Sequence, residues 1–401
     1  MASLKYWLWL ANLPGVGNIV KLALLDRFEE PDAVFYADRE AYLHTEGITQ
    51  EIADALENKS LDRANEVLGD CDRLGIRIIT IRDSGYPARL RNIYDPPLLL
   101  YIQGRMPLFD EEVAVTMVGT RGASLYAQQA AERLAFQLAG LGAIVVSGLA
   151  KGGDAAAHRG ALRSGGLTAA VIAGGHDVIY PAENGQLYAD IAARGVIVSE
   201  YPPGTNHSGR HFPVRNRILS GLSLATVVIE APARSGALIT ADRALDQGRD
   251  VFAIPGHLWD ENCAGSNRLL RDGAGVITDV WDILRHYADQ YPGRIRTAHG
   301  KEPTRYGGEE PPPKPEKKAK EKEKAPELPV LDLGKDNGLT DDQMNILRVL
   351  SGRTMQVDDI IDETQIPARR VLSALTVLEI DGHVAQSAGK RFALAVTLIG
   401  G

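Results

Sequence analysis

Between residues 71 and 288 one pattern recurs, and it constrains the fold more than any other feature. A short run rich in Val and Ile leads into a glycine-bearing turn and then into a helical stretch. The runs are Ile76–Ile81, Val113–Val118, Ala143–Ser147, Thr168–Ala173, Gly195–Ser199, Thr226–Glu230 and Val251–Ile254. They are apolar at successive positions, as strands covered on both faces are. Helical spacing marks the stretches between them, among them Tyr126–Ala139, Asp154–Arg163 and Ala237–Gln247. This alternation predicts an α/β fold with a doubly wound, Rossmann-like parallel sheet. Ligands of such sheets bind beyond the carboxyl ends of the strands, so the turns that follow the strands are the places to look for function.

Three further segments flank this region. Residues 1–70 read as a small helical domain, with helices over Leu4–Ala11 and Asn18–Phe28 and further turns over Gln50–Leu68. The turn Leu13-Pro14-Gly15-Val16-Gly17 gives a SAM-like or helix-hairpin-helix-like shape; it could hold a DNA phosphate, but the commoner reading of such a turn is a plain helical hairpin. Residues 289–337 read as a linker. Its heart, Pro311 to Glu327, has five Pro, six Lys and four Glu in seventeen positions, which leaves little to bury. Residues 338–401 read as a winged helix. The box Thr340-Asp341-Asp342-Gln343 opens one helix, Pro367 takes the N1 position of another, and a hairpin turns around Ala388-Gly389-Lys390. This tail has six Lys and Arg against eight Asp and Glu, which disfavours reading duplex DNA and favours a protein-contact or dimer-supporting role.

Charge and cysteine content narrow the function classes. The 401 residues carry a formal net charge of −8, which argues against a protein coated with basic groups for nucleic acid but leaves room for one local basic site. The two cysteines, Cys71 and Cys263, cannot form a disulfide framework and point to a reducing, cytoplasmic compartment. The apolar runs are too short to span a bilayer, and Met1–Leu13 reads as an amphipathic helix, so no membrane association is expected.

The strand-end turns hold the candidate site. After Val118 come Gly119, Thr120, Arg121, Gly122, Ala123 and Ser124: glycines that admit an anion, a guanidinium suited to phosphate, and a serine able to cap a helix or bond an oxygen. After Ser147 the arrangement repeats, with Lys151 and Gly152 ahead of Asp154. A third cluster, Arg210 to Arg217, has three arginines and no acid. Phe212 stands among them, as suits stacking on an unpaired base, and Arg215, Asn216 and Arg217 follow. Arg215 and Arg217 have a second reading, as partners of Glu200 and Glu230 inside the fold. Nothing marks a catalytic centre: the GxxxxGK[ST] and GxSxG patterns are missing, no carboxylate pair stands out, and His207 and His211 lack the support of a zinc site. The expectation is a binder without cofactor or metal. The alternative is a Rossmann-like nucleotide-binding enzyme or sensor.

Taken in order, these segments resemble the bacterial DNA processing protein A family, DprA or Smf. The resemblance rests on Gly85-Tyr86-Pro87, Tyr94-Asp95-Pro96-Pro97, Val118-Gly119-Thr120-Arg121, Ser147 to His158, Tyr180-Pro181, Ser199-Glu200-Tyr201-Pro202-Pro203-Gly204, Phe212 to Arg217, Val228-Ile229-Glu230-Ala231 and Ala253-Ile254-Pro255-Gly256. Gly153 stands where the family usually has Ile, and Ala127 where it usually has Gly. The resemblance implies a dimeric binder of single-stranded DNA, not an enzyme, that protects incoming DNA and loads the recombinase RecA in natural transformation. It implies that Arg121 and Lys151 hold the DNA backbone, with Arg215 to Arg217 beside them.

Overall fold

A computed structural model describes residues 4–296, 329–334, 338–387 and 391–399. The chain forms two compact units, Met1–Glu302 and Pro303–Gly401. The heart of the expected linker and the hairpin turn Ala388-Gly389-Lys390 lie outside the described residues. Among the described residues no helix is long and apolar enough to cross a membrane.

The first unit opens with six helices: α1 (Leu4–Ala11), α2 (Asn18–Phe28), α3 (Pro31–Tyr36), α4 (Arg39–Leu43), α5 (Gln50–Glu57) and α6 (Asp62–Leu74). Pro31 at the first turn of α3 and the Asp38 cap of α4 explain two helices that periodicity alone does not show, since each is at most six residues long. Their apolar faces share one core with the sheet, where Trp7, Leu10 and Leu24 join Tyr101, Val198 and Leu219.

Strands and helices then alternate: β1 (Arg77–Thr80), α7 (Ala88–Arg91), β2 (Leu99–Gly104), β3 (Ala114–Val118), α8 (Leu125–Gly140), β4 (Ile144–Ser147), α9 (Gly153–Arg163), β5 (Thr168–Ile172), α10 (Gly185–Arg194) and β6 (Val196–Ser199). They continue through α11 (His211–Gly221), β7 (Ala225–Val228), α12 (Gly236–Asp246), β8 (Asp250–Ala253), α13 (Ala264–Arg271), β9 (Gly275–Val276) and α14 (Trp281–Leu284). The sheet order is β1-β2-β6-β5-β4-β3-β7-β8-β9. From β6 to β9 every pairing is parallel. The Ile76–Ile81 run, expected among parallel strands, pairs antiparallel with β2, and β2 pairs antiparallel with β6. An apolar run reports burial on both faces but not strand direction.

Alternate residues of β3 serve opposite faces, as a period of two requires. Val115 and Met117 pack with α8, α9 and α14, while Ala114 and Val118 join the core that includes α11, α12 and the amino-terminal helices. This packing continues past residue 288: Ile295 is buried and Arg296 N donates to Leu141 O at 2.7 Å.

The second unit contains β10 (Val330–Asp332), α15 (Asp341–Val349), β11 (Met355–Gln356), α16 (Val357–Thr364), α17 (Ala368–Ile380), β12 (Val384–Ser387), β13 (Arg391–Leu394) and β14 (Thr397–Ile399). Thr340 and Gln343 form the expected capping box on α15. Pro367 is the N-cap of α17 rather than its first residue. β13 pairs with both β11 and β12, and β10, within the segment read as linker, pairs in parallel with β14.

Candidate nucleic-acid interface

β3 and β7 are neighbours, yet the chain leaves them in opposite directions, towards β4 and towards β8. This is a topological switch point, and a crevice at the carboxyl ends of the two strands follows from it. Here an open cleft of ≈ 340 Å³ lies among Gly119, Arg121, Asp154, Phe212, Arg215 and Arg234.

The turn after β3 is fixed at both ends. Gly119 N donates to Asp154 Oδ1 at 3.3 Å and Thr120 N to Glu230 O at 2.8 Å. Ser124 is the N-cap of α8, and its N–H and hydroxyl donate to the buried Glu230 carboxylate at 2.8 and 2.7 Å. Arg121 stands free of this frame. It is exposed, and among the described residues it has no ion pair. Its guanidinium lies 4.7 Å from the centre of the Phe212 ring and 5.9 Å from that of Tyr180, a cation–π arrangement that holds the charge without neutralising it.

The turn after β4 is more constrained. Leu149 is buried with φ 58, in the left-handed region that a branched residue adopts only under duress. Asn184 Nδ2 donates to Leu149 O at 2.9 Å and keeps that conformation. Gly152 has φ +74, and a Cβ there would lie 2.6 Å from Thr120 O, so the two turns can touch only through glycine. Lys151 projects outward and pairs with Glu183. Both side chains are about half exposed, at 50% and 54%. Such a pair contributes little net stability, so Lys151 can exchange Glu183 for a phosphate.

The basic cluster on α11 is mostly internal. Arg215 is buried against Gly148, where a Cβ would lie 2.5 Å from the guanidinium. It donates to Gly148 O at 3.0 Å and to Val171 O. Burial draws Arg215 down to about 10, which leaves it charged at neutral pH. It faces Asp154, whose carboxyl is raised by burial against the pull of Arg215 and of backbone N–H groups. Asn216 donates to Gly236 O at 3.2 Å and ties α11 to α12. Arg217 pairs with Glu200 at 2.7 Å and with Asp95 at 3.1 Å, and its side chain is 8% exposed. Burial opposes the charge, but the two carboxylates outweigh it and Arg217 is raised. Asn18, at the start of α2, donates to the same Glu200 at 2.7 Å, which ties the amino-terminal hairpin to this network.

The structure thus groups Gly119, Thr120, Arg121, Lys151, Gly152 and Phe212 on the open edge, and puts Ser124, Arg215, Asn216 and Arg217 in the frame beneath. Sequence reasoning did not name Arg234, Tyr180, Glu183 or Asn184 as site residues, although Tyr180-Pro181 is one of the segments that carry the family resemblance. Arg234 is exposed on the cleft and, among the described residues, has no ion pair. It is the cation of the turn after β7, so the rule that found Arg121 and Lys151 applies to it as well. Tyr180 stacks on His207 at 4.0 Å, and His211 stacks on Tyr201 at 4.3 Å, so the two histidines are used in ring contacts. Among the described residues one group, Glu230, Asp260 and Cys263, is compact enough for a metal ion. Its Glu230 already accepts from Ser124, and burial pushes the Cys263 thiol up, towards its protonated form.

A sequence model of the DNA recombination-mediator protein A family matches residues 77–288. The chain belongs to this family. A model of the DprA winged helix domain matches residues 311–390. DNA processing protein DprA of Bacillus subtilis is 41% identical over 216 residues, 54% of this chain and 73% of that one. DNA processing protein DprA of Streptococcus pneumoniae is 43% identical over 208 residues, 52% of this chain and 73% of that one. The X-ray structure of the Streptococcus pneumoniae protein aligns with a TM-score of 0.58 at 35% identity, over 71% of this chain and 98% of that one. As a DNA recombination-mediator protein, this chain has a DNA-processing role.

Proposed function

We propose that this protein holds single-stranded DNA across the carboxyl edge of its sheet and delivers it to the recombinase RecA. The observation that carries the reading is Arg121: an exposed guanidinium, unneutralised, poised over Phe212 at the mouth of an open switch-point cleft. Lys151 and Arg234 add cations from the two neighbouring turns. A strand needs phosphate contacts along its backbone and ring faces for its bases, and Phe212 at the cleft wall supplies a ring; one stack contributes roughly 1–3 kcal/mol. Arg215, Asn216 and Arg217 act beneath the strand by holding α11 in place rather than by touching phosphate.

The wider role, protecting incoming DNA and loading RecA during natural transformation as a cytoplasmic homodimer, rests on membership of the mediator family. The site is built to bind: Asp154 accepts from two backbone N–H groups and the Ser147 hydroxyl donates to Met117 O at 2.6 Å, so both serve the frame. The cleft volume also falls at the lower end of small-ligand sites, which keeps a single nucleotide as the competing ligand. Fluorescence anisotropy of a labelled oligonucleotide separates the two. Displacement by unlabelled single strands but not by duplex or mononucleotide supports the reading; displacement by mononucleotide at equal concentration overturns it.

A further inference from the structure

The long helix of the second unit, α17, presents two unlike faces. Val371, Ala374, Leu375 and Leu378 are buried in that unit's core. On the opposite face Leu372 is 51% exposed, Val377 41% and Ile380 78%, with Ser373 and Thr376 exposed between them. Leu372, Thr376 and Ile380 are spaced four apart and so form one stripe along the helix. In a winged helix this is the face that enters a DNA groove, and a groove reader lines it with cations. Here the middle of the face is uncharged, with Leu372, Val377 and Ile380 around the two small hydroxyl side chains. Arg369 stands at its amino end, while Arg370 is already bound to Asp342 at 2.7 Å. Glu379 stands at its carboxyl end.

A face that is positive at one end, uncharged and largely apolar in the middle and negative at the other is complementary to itself. Antiparallel packing of two copies about a two-fold axis brings unlike charges together twice. We propose that α17 is a self-pairing surface on which a second copy of this chain docks, with Thr376 at the axis, Leu372 against the partner's Ile380, and Arg369 about one helical turn, ~6 Å, along the axis from the partner's Glu379, within reach of its long side chain. This contact lies within the second unit.

The axis position makes the proposal testable. Helices packed about 8–10 Å apart, with Cα atoms about 2.3 Å from each axis, bring two facing Cα atoms within disulfide range. The Thr376→Cys substitution in the full chain, under mild oxidation, is expected to yield a cross-linked dimer on a non-reducing gel. The two native cysteines are buried, so the parent chain is the blank. Adding Leu372→Asp and Ile380→Asp, both at exposed positions, is expected to abolish the cross-link. Arg369→Glu alone should weaken it, and Arg369→Glu with Glu379→Arg should restore it. A cross-link that arises only because two tails are tethered near one another would not respond to the aspartates. No cross-link from the Thr376→Cys chain, or a cross-link indifferent to the aspartates, overturns the proposal. So does a loss of duplex-DNA affinity in the aspartate variant, because that result assigns the face to DNA.

Discussion

Arg215 and Arg217 sit two residues apart in a cluster without acids, and both turn inward. Sequence allows either an outward or an inward arginine there, because the partners that decide it are remote: Glu200 and Asp95 for Arg217, the carbonyls of Gly148 and Val171 for Arg215. Arg121 has the same composition signal and the opposite fate, since its neighbours are aromatic rings. The difference gives a paired prediction. Arg217→Ala leaves the partly buried Glu200 with only the Asn18 amide as donor among the described residues and is expected to cost on the order of 3 kcal/mol, seen as a lower midpoint in thermal denaturation. Arg121→Ala is expected to leave that midpoint nearly unchanged and to weaken single-strand binding instead. A stable Arg217→Ala protein with weakened binding would return Arg217 to the interface. Arg234→Ala, at the cation missed in the sequence, should weaken binding in the same way as Arg121→Ala, checked by the same anisotropy titration.

At the scale of elements, the strand runs and long helices were legible because burial on both faces and helical spacing leave a pattern in the chain. Asn18–Phe28 was read with its observed bounds, and α8 and α12 within one residue. The strand β2 escaped as an element, and the direction of β1 was missed, because apolar runs carry no mark of direction. α10 escaped because no capping box announces it; Asn184, the residue before it, spends its side chain on Leu149 O. The contact between the two strand-end turns was legible only as a richness in glycine. Gly152→Ala places a methyl group against Thr120 O at a positive φ, so it should push the turns apart and reduce single-strand affinity more than it reduces stability; circular dichroism with a binding titration checks this. Two elements also set an acid limit. His158 on α9 and His176 after β5 are buried, and burial lowers them to about 3 and about 4. Both are neutral in the folded protein and gain protons on unfolding below their unfolded value of about 6.5. Their stabilising effect is therefore complete above that pH and is lost as pH falls towards 4. Denaturant titrations from pH 7 to pH 4 should show stability falling, with about two protons taken up on unfolding.

For the whole molecule, the charge of −8 looks unfavourable for a DNA binder until it is resolved in space. Arg121, Lys151 and Arg234 gather on one edge of the sheet, while the winged-helix unit adds two net negative charges over residues 338–401. A chain ending at residue 337 is accordingly expected to keep most of its single-strand affinity. The central claim is that one basic edge, rather than the whole surface, holds the strand. The direct test is single-strand affinity measured across a series of salt concentrations for the parent chain and for Arg121→Ala with Lys151→Ala. The logarithm of affinity falls linearly with the logarithm of salt, by roughly 0.7 for each phosphate contact on a single strand. Weaker binding and a slope shallower by about 1.4 are expected for the two lost contacts. An unchanged affinity and slope in the double variant would contradict the claim.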